Sequence, residues 1–290
     1  MLVRVLGVSL LAAFMAPGTL AQAVTGAAVA QELQRQIERE RVLREQQEST
    51  PDVRLLAPAS VEPGRMPEAE TPCFPIREIV LKSPLPDFSS AHSAVDPDDD
   101  PATGRCLGSA GINVVMTRVQ NAIVARGFVT TRVLAEVQDL CNGILTLTVI
   151  PGRIRNISFT PGSDTRANAW NAMPARPGDI LNLRDIEQGL ENFKRVPTAE
   201  ADIQIVPADE PGESDLLIAW KQAFPLRLTL NVNDGGAKTT GKYLGSVTVS
   251  GDHLLMLNDL FYASFNHELG GGESGSRGTH GHTLHYSLPY

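Results

Sequence analysis

Four stretches of this chain carry residue types that could do chemistry. The first is the set of three cysteines, Cys73, Cys106 and Cys141. No CxxC spacing occurs among them, so a zinc site of the usual kind has no support. The N-terminus bears on their redox state. "MLVRVLGVSLLAAFMAPGTLAQA" sets Arg4 before an apolar run, Val5 to Ala16, and then small residues around Thr19-Leu20-Ala21. That is a signal-peptide pattern, expected over residues 1–21, and an exported chain can oxidise two of its thiols. Cys73–Cys106 is the favoured disulfide, because it would staple the long Pro- and Asp-rich stretch between them, with about 2–4 kcal/mol of stabilisation. Cys106–Cys141 stays open as the alternative pair.

The second stretch, "DPDDDP" from Asp96 to Pro101, suggests calcium by composition. A calcium loop of the EF-hand type needs Gly and Glu where Pro101 and Leu107 stand, so a solvated acidic loop is expected. The third is His280, His282 and His285. His280 and His282 could share a face, but nothing else completes a coordination sphere, and a polar loop entering a strand is the plainer reading. The fourth, "GGGESGSRG", neither follows a buried parallel strand nor opens a helix, so it is a flexible loop and not a phosphate cradle. With no GxxxxGK[ST], GxSxG or HExxH, the expectation is a protein that is not an enzyme and has no cofactor and no metal.

The elements around these stretches have a clear order. Val29 to Gln47 is rich in Gln, Glu and Arg and reads as a helix polar nearly all round, which suits a polar cavity. Five prolines between Pro51 and Pro72 mark an extended linker. Two units with the same order of parts follow. "FPIREIVL" opens the first and "GRIRNISF" the second, sharing Ile-Arg-x-Ile at Ile76 and Ile154. "VQNAIVARGFVT" (Val119 to Thr130) aligns without a gap on "EQGLENFKRVPT" (Glu187 to Thr198). In unit one the periodicities predict a strand Phe74 to Lys82, a helix Ile112 to Arg126, and strands Thr130 to Glu136 and Ile144 to Ile150. In unit two they predict a strand Arg153 to Thr160, a short helix Thr165 to Ala172, a second helix Leu183 to Phe193, and strands Ala201 to Val206 and Asp215 to Trp220.

From Phe224 the pattern becomes strictly alternating. Leu226, Leu228, Leu230 and Val232 alternate with Arg227, Thr229 and Asn231. "GSVTVS", "LFYASF" and "TLHYSL" do the same, which is the signature of outer-membrane β-barrel strands. Four such strands cannot close a barrel, since bacterial barrels begin at about eight. The expectation is therefore the N-terminal part of a longer protein. The net charge of −8 argues against nucleic acid as a partner.

The motifs "CFPIREIVL", "RCLGSAGINVVMTRVQNAIVARGFVTTRVL", "QDLCNGILTLTVIPGRIRNISF", "GDILNLRDIEQGLENFKRV" and "VPADEPGESDLLIAWKQ" occur in that order. With the barrel opening "LNVNDGGAKTTGKYLGSVTVSGDHLLMLNDLFYASF", the chain from Pro72 to Tyr290 resembles the two-partner secretion transporters of the outer membrane. These are the haemolysin-activator and filamentous-haemagglutinin-transporter type within the Omp85 superfamily.

The resemblance implies an α+β pair of tandem POTRA repeats followed by the first strands of a transmembrane antiparallel β-barrel. It implies a plug helix at residues 28–48, a linker at 49–72, POTRA repeats at 73–151 and 152–223, and barrel strands at 225–290. It also implies cysteines at places matching Cys73 and Cys106. The implied function is export, without ATP, of a large haemolysin- or adhesin-like exoprotein. The implied setting is the outer membrane of a Gram-negative cell, with outer-membrane lipid around the barrel and the repeats in the periplasm, and the protein is expected to be monomeric. An Omp85-type assembly factor and a soluble two-repeat periplasmic adaptor are the alternatives. A three-stranded sheet leaves an edge to which an extended client can add a strand. The expected edges are Thr131, Arg132, Val133 and Leu134 in unit one and Ile203, Gln204, Ile205 and Val206 in unit two. Val119 and Ile123, and Ile186 and Leu190, are expected to line an apolar groove beside each edge.

Overall fold

The computed structural model describes residues 26–48, 51–55, 61–84, 88, 91, 93–236, 241–271 and 280–289. The signal peptide expected at 1–21 lies outside them, as does most of the loop 270–278. A long helix, α1 (Gly26–Gln47), comes first. Arg41 braces it by pairing with Glu38 and Glu45 at 2.6 and 3.0 Å, the one-turn spacing at which helix side chains meet.

Unit one contains β1 (Phe74–Pro75), β2 (Glu78–Lys82), β3 (Cys106–Leu107), α2 (Ser109–Ala125), β4 (Arg132–Leu134) and β5 (Ile144–Ile150). The single strand expected from Phe74 to Lys82 is thus two strands. Ile76, fully buried, bonds through its N–H to the Arg105 carbonyl, while Arg77 N–H turns to Gly143. The chain changes partner between them, from β3 to β5. The main sheet has the order β2-β5-β4, with β2 parallel and β4 antiparallel to β5. Val115, Val119 and Ile123 on one face of α2 pack onto Leu145, Leu147 and Val149. Cys73 and Cys106 are joined, with Cα atoms 5.3 Å apart, and Cys141 is an exposed thiol.

Unit two contains β6 (Arg153–Phe159), α3 (Leu183–Lys194), β7 (Ala199–Pro207) and β8 (Glu213–Gln222), in a sheet of order β6-β8-β7. Asn182 caps α3 by accepting the Arg184 N–H. Ile186, Leu190 and Phe193 bury against Ile203, Leu216, Ile218 and Trp220. The short helix expected at Thr165 to Ala172 is a series of turns. Asp164 and Asn168 turn their side chains onto the N–H groups of Arg166 and Trp170, the local bonding with which such residues compete against a helix. The junction between units is tight. A Cβ on Gly152 would lie 2.1 Å from Thr130 Oγ1, and Leu183 N–H bonds the Gly127 carbonyl at 2.8 Å.

The last four strands are β9 (Leu226–Asn233), β10 (Tyr243–Asp252), β11 (Leu260–Gly270) and β12 (His280–Ser287), an antiparallel meander in sequence order. Its register puts Leu228, Val249 and Ala263 in one row of the outer face. Leu228, Leu230 and Val232 are 67–71% exposed there. The inner face carries Thr248, Ser250, Tyr262, Ser264 and His285, all buried. Leu260 and Tyr262 belong to the core of unit two, so that unit and the sheet share one apolar cluster.

Candidate functional site

Two constellations stand out, one at the sheet edges of the units and one where α1 meets the four-stranded sheet.

The edges differ. In unit two, Ala223 N–H bonds the Thr198 carbonyl and Ala208 N–H bonds the Glu213 carbonyl. These fix the antiparallel phase, so even-numbered residues of β7 bond β8, and Ala201, Ile203 and Ile205 turn their backbone N–H and C=O outward. No hydrogen bond from the described residues reaches those groups. Gln204 and Val206 pair inward with Leu217 and Asp215. In unit one two of the outward groups along β4 are already occupied. The Gln120 side chain, from α2, donates to the Thr131 carbonyl at 2.7 Å and accepts the Val133 N–H at 2.9 Å. Its amide mimics a neighbouring strand. Gln138 does the same for β5 beyond the end of β4, meeting Thr146 N–H at 2.7 Å and its carbonyl at 2.8 Å. That substitution is why β4 stops at Leu134 short of the expected Glu136.

The groove residues need correction. Val119, Ile123, Ile186 and Leu190 are each at most 2% exposed and fill the cores. Helical periodicity marks the apolar face but not whether that face is open. Thr131 and Val133 are also buried as side chains, while Arg132 and Leu134 are exposed. Beside β7 an open hollow of about 330 Å³ is lined by Pro51, Lys194, Pro197, Ala199, Glu200 and Ala201. Pro51 belongs to the linker, which lies along both helices. Its Val53 and Leu55 N–H groups donate to Glu191 and Glu187 of α3 at 3.3 and 2.9 Å. Farther on, Asn121 of α2 donates to the Val61 carbonyl. Glu70 then caps α2, accepting N–H from Gly108, Ala110 and Gly111 at 2.7–3.0 Å. Those bonds, Gly108 first, hold its carboxyl below the usual range.

The second constellation is polar and joins residues far apart in the sequence. Arg227 of β9 donates to Asp252 and to the Gln47 side chain at 2.9 and 3.0 Å. Ser250 Oγ also donates to Gln47. Asp252, fully buried, accepts both the N–H and the hydroxyl of Thr198 from unit two. Arg195 of unit two donates to Glu48 at 3.0 Å and to Ser287 of β12. His285 stands 3.6 Å from Glu48. The Arg195 guanidinium and the His285 ring thus both face the Glu48 carboxylate. The C-terminal end of α1 is thereby tied to both unit two and the sheet. A charged residue on the inner face of an alternating strand, such as Arg227, is the one sequence signal that pointed there.

His285, buried inside, stacks on Tyr262 with ring centroids 4.7 Å apart. It faces away from the exposed His280 and His282, so the three histidines do not converge.

Comparison with known proteins adds the following. The family described as "POTRA domain, ShlB-type" matches residues 74–152, "POTRA domain" residues 153–207, and "Haemolysin secretion/activation protein ShlB/FhaC/HecB" residues 212–290. Outer membrane transporter CdiB-2 of Burkholderia pseudomallei (strain 1026b) is 40% identical over 234 residues, 76% of this chain and 40% of that protein. Hemolysin transporter protein ShlB of Serratia marcescens is 29% identical over 186 residues, 64% of this chain and 32% of that one. The solved structure of CdiB from Acinetobacter baumannii superposes with a TM-score of 0.76 at 26% identity, covering 93% of this chain and 52% of that chain. The chain spans about two fifths of the length of the curated relatives it matches.

Proposed function

The chain belongs to the two-partner secretion transporters of the Omp85 superfamily, and from that premise we propose that it receives an unfolded exoprotein in the periplasm and passes it to a β-barrel pore for export across the outer membrane. The matched families are transporters and not enzymes. The relatives' names fit export and lend nothing to an assembly factor or a soluble adaptor.

In this reading residues 28–48 plug the barrel lumen, 49–72 link plug to repeats, and 73–151 and 152–223 are periplasmic. Residues 225–290 open the barrel, with outer-membrane lipid against Leu228, Leu230 and Val232. The client is a large haemolysin- or adhesin-like protein, and the transporter acts as a monomer.

One observation carries the proposal. The nine-residue edge strand β7 offers unpaired backbone groups in the same unit whose Arg195 and Thr198 contact the plug end and the barrel strands. A client strand added at Ala201, Ile203 and Ile205 would lie next to the pore it must enter. The edge of β4 is the weaker acceptor because Gln120 already fills it.

The test is a photo-crosslinking side chain placed at Gln204 or at Arg132, in cells that also make a large exported protein of the haemolysin or adhesin class. Adducts concentrated at Gln204 support the proposal. Adducts only at Arg132, or at neither, overturn it.

A further inference from the structure

The turn between β10 and β11 presents Leu254, Leu255 and Met256 to solvent, 40%, 63% and 50% exposed. The turn is held rigidly. Asp259 accepts the N–H groups of Leu255 and Leu257 at 3.1 and 3.2 Å, and Asn258 N–H bonds His253 Nδ1 at 3.0 Å. Unit two holds the polar side of the turn. Asn168 donates to the Met256 carbonyl at 2.7 Å, Asn171 donates to the Leu257 carbonyl, and Asn258 donates back to the Asn168 carbonyl at 2.8 Å. Met256 is kept at φ +59°, a left-handed conformation that an ordinary side chain adopts only when its surroundings enforce it. The backbone polar groups are thus drawn inward and the apolar side chains are left outside.

Trp170 lies between those two asparagines and is 71% exposed. Arg176 donates to its carbonyl at 2.8 Å. Arg166 bonds the His253 carbonyl. Neither Arg166 nor Arg176 has a carboxylate partner among the described residues.

This patch is continuous with the outer face of the strands. Gly251 lies in the row of Leu226 and Phe261, and a Cβ there would come 2.4 Å from Leu254 Cδ1. Leu254 therefore folds back onto the outer face itself. An exposed tryptophan with apolar neighbours and uncompensated arginines, at the rim of a lipid-facing sheet, has the composition of a membrane–water interface.

We infer that Trp170, with Leu254, Leu255 and Met256, anchors the second repeat in the headgroup region of the periplasmic leaflet, with Arg166 and Arg176 beside lipid phosphates. The partner is a phospholipid surface. The inference rests on the reading of β9–β12 as membrane strands and adds to it a soluble repeat that grips the same membrane.

The chain has two tryptophans, and Trp220 is 1% exposed, so Trp170 can be read by difference against Trp170→Phe. The chain, carried in a protein whose barrel is complete, is reconstituted in phosphatidylcholine–phosphatidylglycerol vesicles whose lipids carry bromine near the headgroup or deep in the tails. Seating of β9–β12 is scored separately by protection from added protease. Trp170 emission should be blue-shifted and quenched more by the shallow bromines than by the deep ones, and Leu255→Glu with Met256→Glu should reduce that quenching. Seated strands with Trp170 open to aqueous iodide and untouched by bromolipid would overturn the anchor alone. Concentration-dependent shielding from iodide without bromolipid quenching would assign the face to a second copy or another protein and overturn it as well. Strands left unprotected would overturn the anchor and the membrane reading together.

Discussion

Units one and two share a sheet order and diverge in how their exposed features are used. Unit one is closed. Its short β4 is capped by Gln120, a disulfide staples its long loop, and Glu70 and Asp100 pin the linker across α2. Unit two is open on one side and engaged on the other. β7 leaves three residues facing outward, while Arg195, Thr198, Gln222 and Asn168 hold α1 and the barrel strands. The same fold is closed at its edge in one copy and, in the other, leaves an open edge beside a junction. A side-chain amide is enough to make the difference, because one Gln satisfies the donor and the acceptor that a client strand would otherwise take.

Four measurements would break or sharpen this contrast. The largest effect is expected from Cys73→Ser with Cys106→Ser. Unit one should lose about 2–4 kcal/mol, read by hydrogen exchange at β5, with exchange at β8 unchanged. Equal losses in both units would mean that they are one cooperative body and that the division is only geometric.

Gln120→Ala comes next. It leaves a buried donor and acceptor unmatched and should cost unit one about 1–3 kcal/mol. It should also raise crosslinking of client at Arg132, which would turn unit one toward the behaviour of unit two.

Ile205→Pro is smaller. It removes one outward N–H from an edge strand, where proline is tolerated, without removing a bond to β8. Client binding should weaken by up to about tenfold, the equivalent of one hydrogen bond, with little change in the melting temperature.

The smallest effect is on pH. Burial lowers the His253 pKa, and its Nδ1 already accepts a proton-bearing neighbour, Asn258 N–H. The folded state favours neutral imidazole, so His253 stabilises the junction fully above its ordinary value of 6.5 and progressively less as pH falls below it. Glu70 and Asp100 in unit one are lowered chiefly by backbone N–H groups, of Gly108 and Met66, and lose their contribution only below 4.5 and 3.8. Exchange at β8 and residues 253–258 should therefore rise as the pH falls below about 6.5, while α2 stays protected. A simultaneous rise in both would remove this asymmetry.

Much of this was legible in the residues. Alternation located β9 to β12, and Ile203 and Ile205 stood where the outward backbone groups of β7 are found. The helix expected at Thr165 to Ala172 failed because Asn168 and Asn171 spend their amides on the barrel turn, a partner that local pattern cannot reveal. Val119, Ile123, Ile186 and Leu190 were placed on the correct face, but a core and a groove demand the same apolar residues. Gln120 and Gln138 read as ordinary polar positions. Arg195 and Asp252 acquire meaning only from partners far along the chain.

That distance sets an order of events. Gln47 ends α1 and Glu48 follows it, yet their partners lie 180 residues away at Arg227, 203 at Ser250 and 239 at Ser287. This segment must wait for β9, β10 and β12 before it has a seat. A helix of largely polar surface is suited to waiting in water, since it offers little for premature collapse. Its docking then reports that unit two and these strands are already in place, so α1 docks after them although it precedes them in the polypeptide.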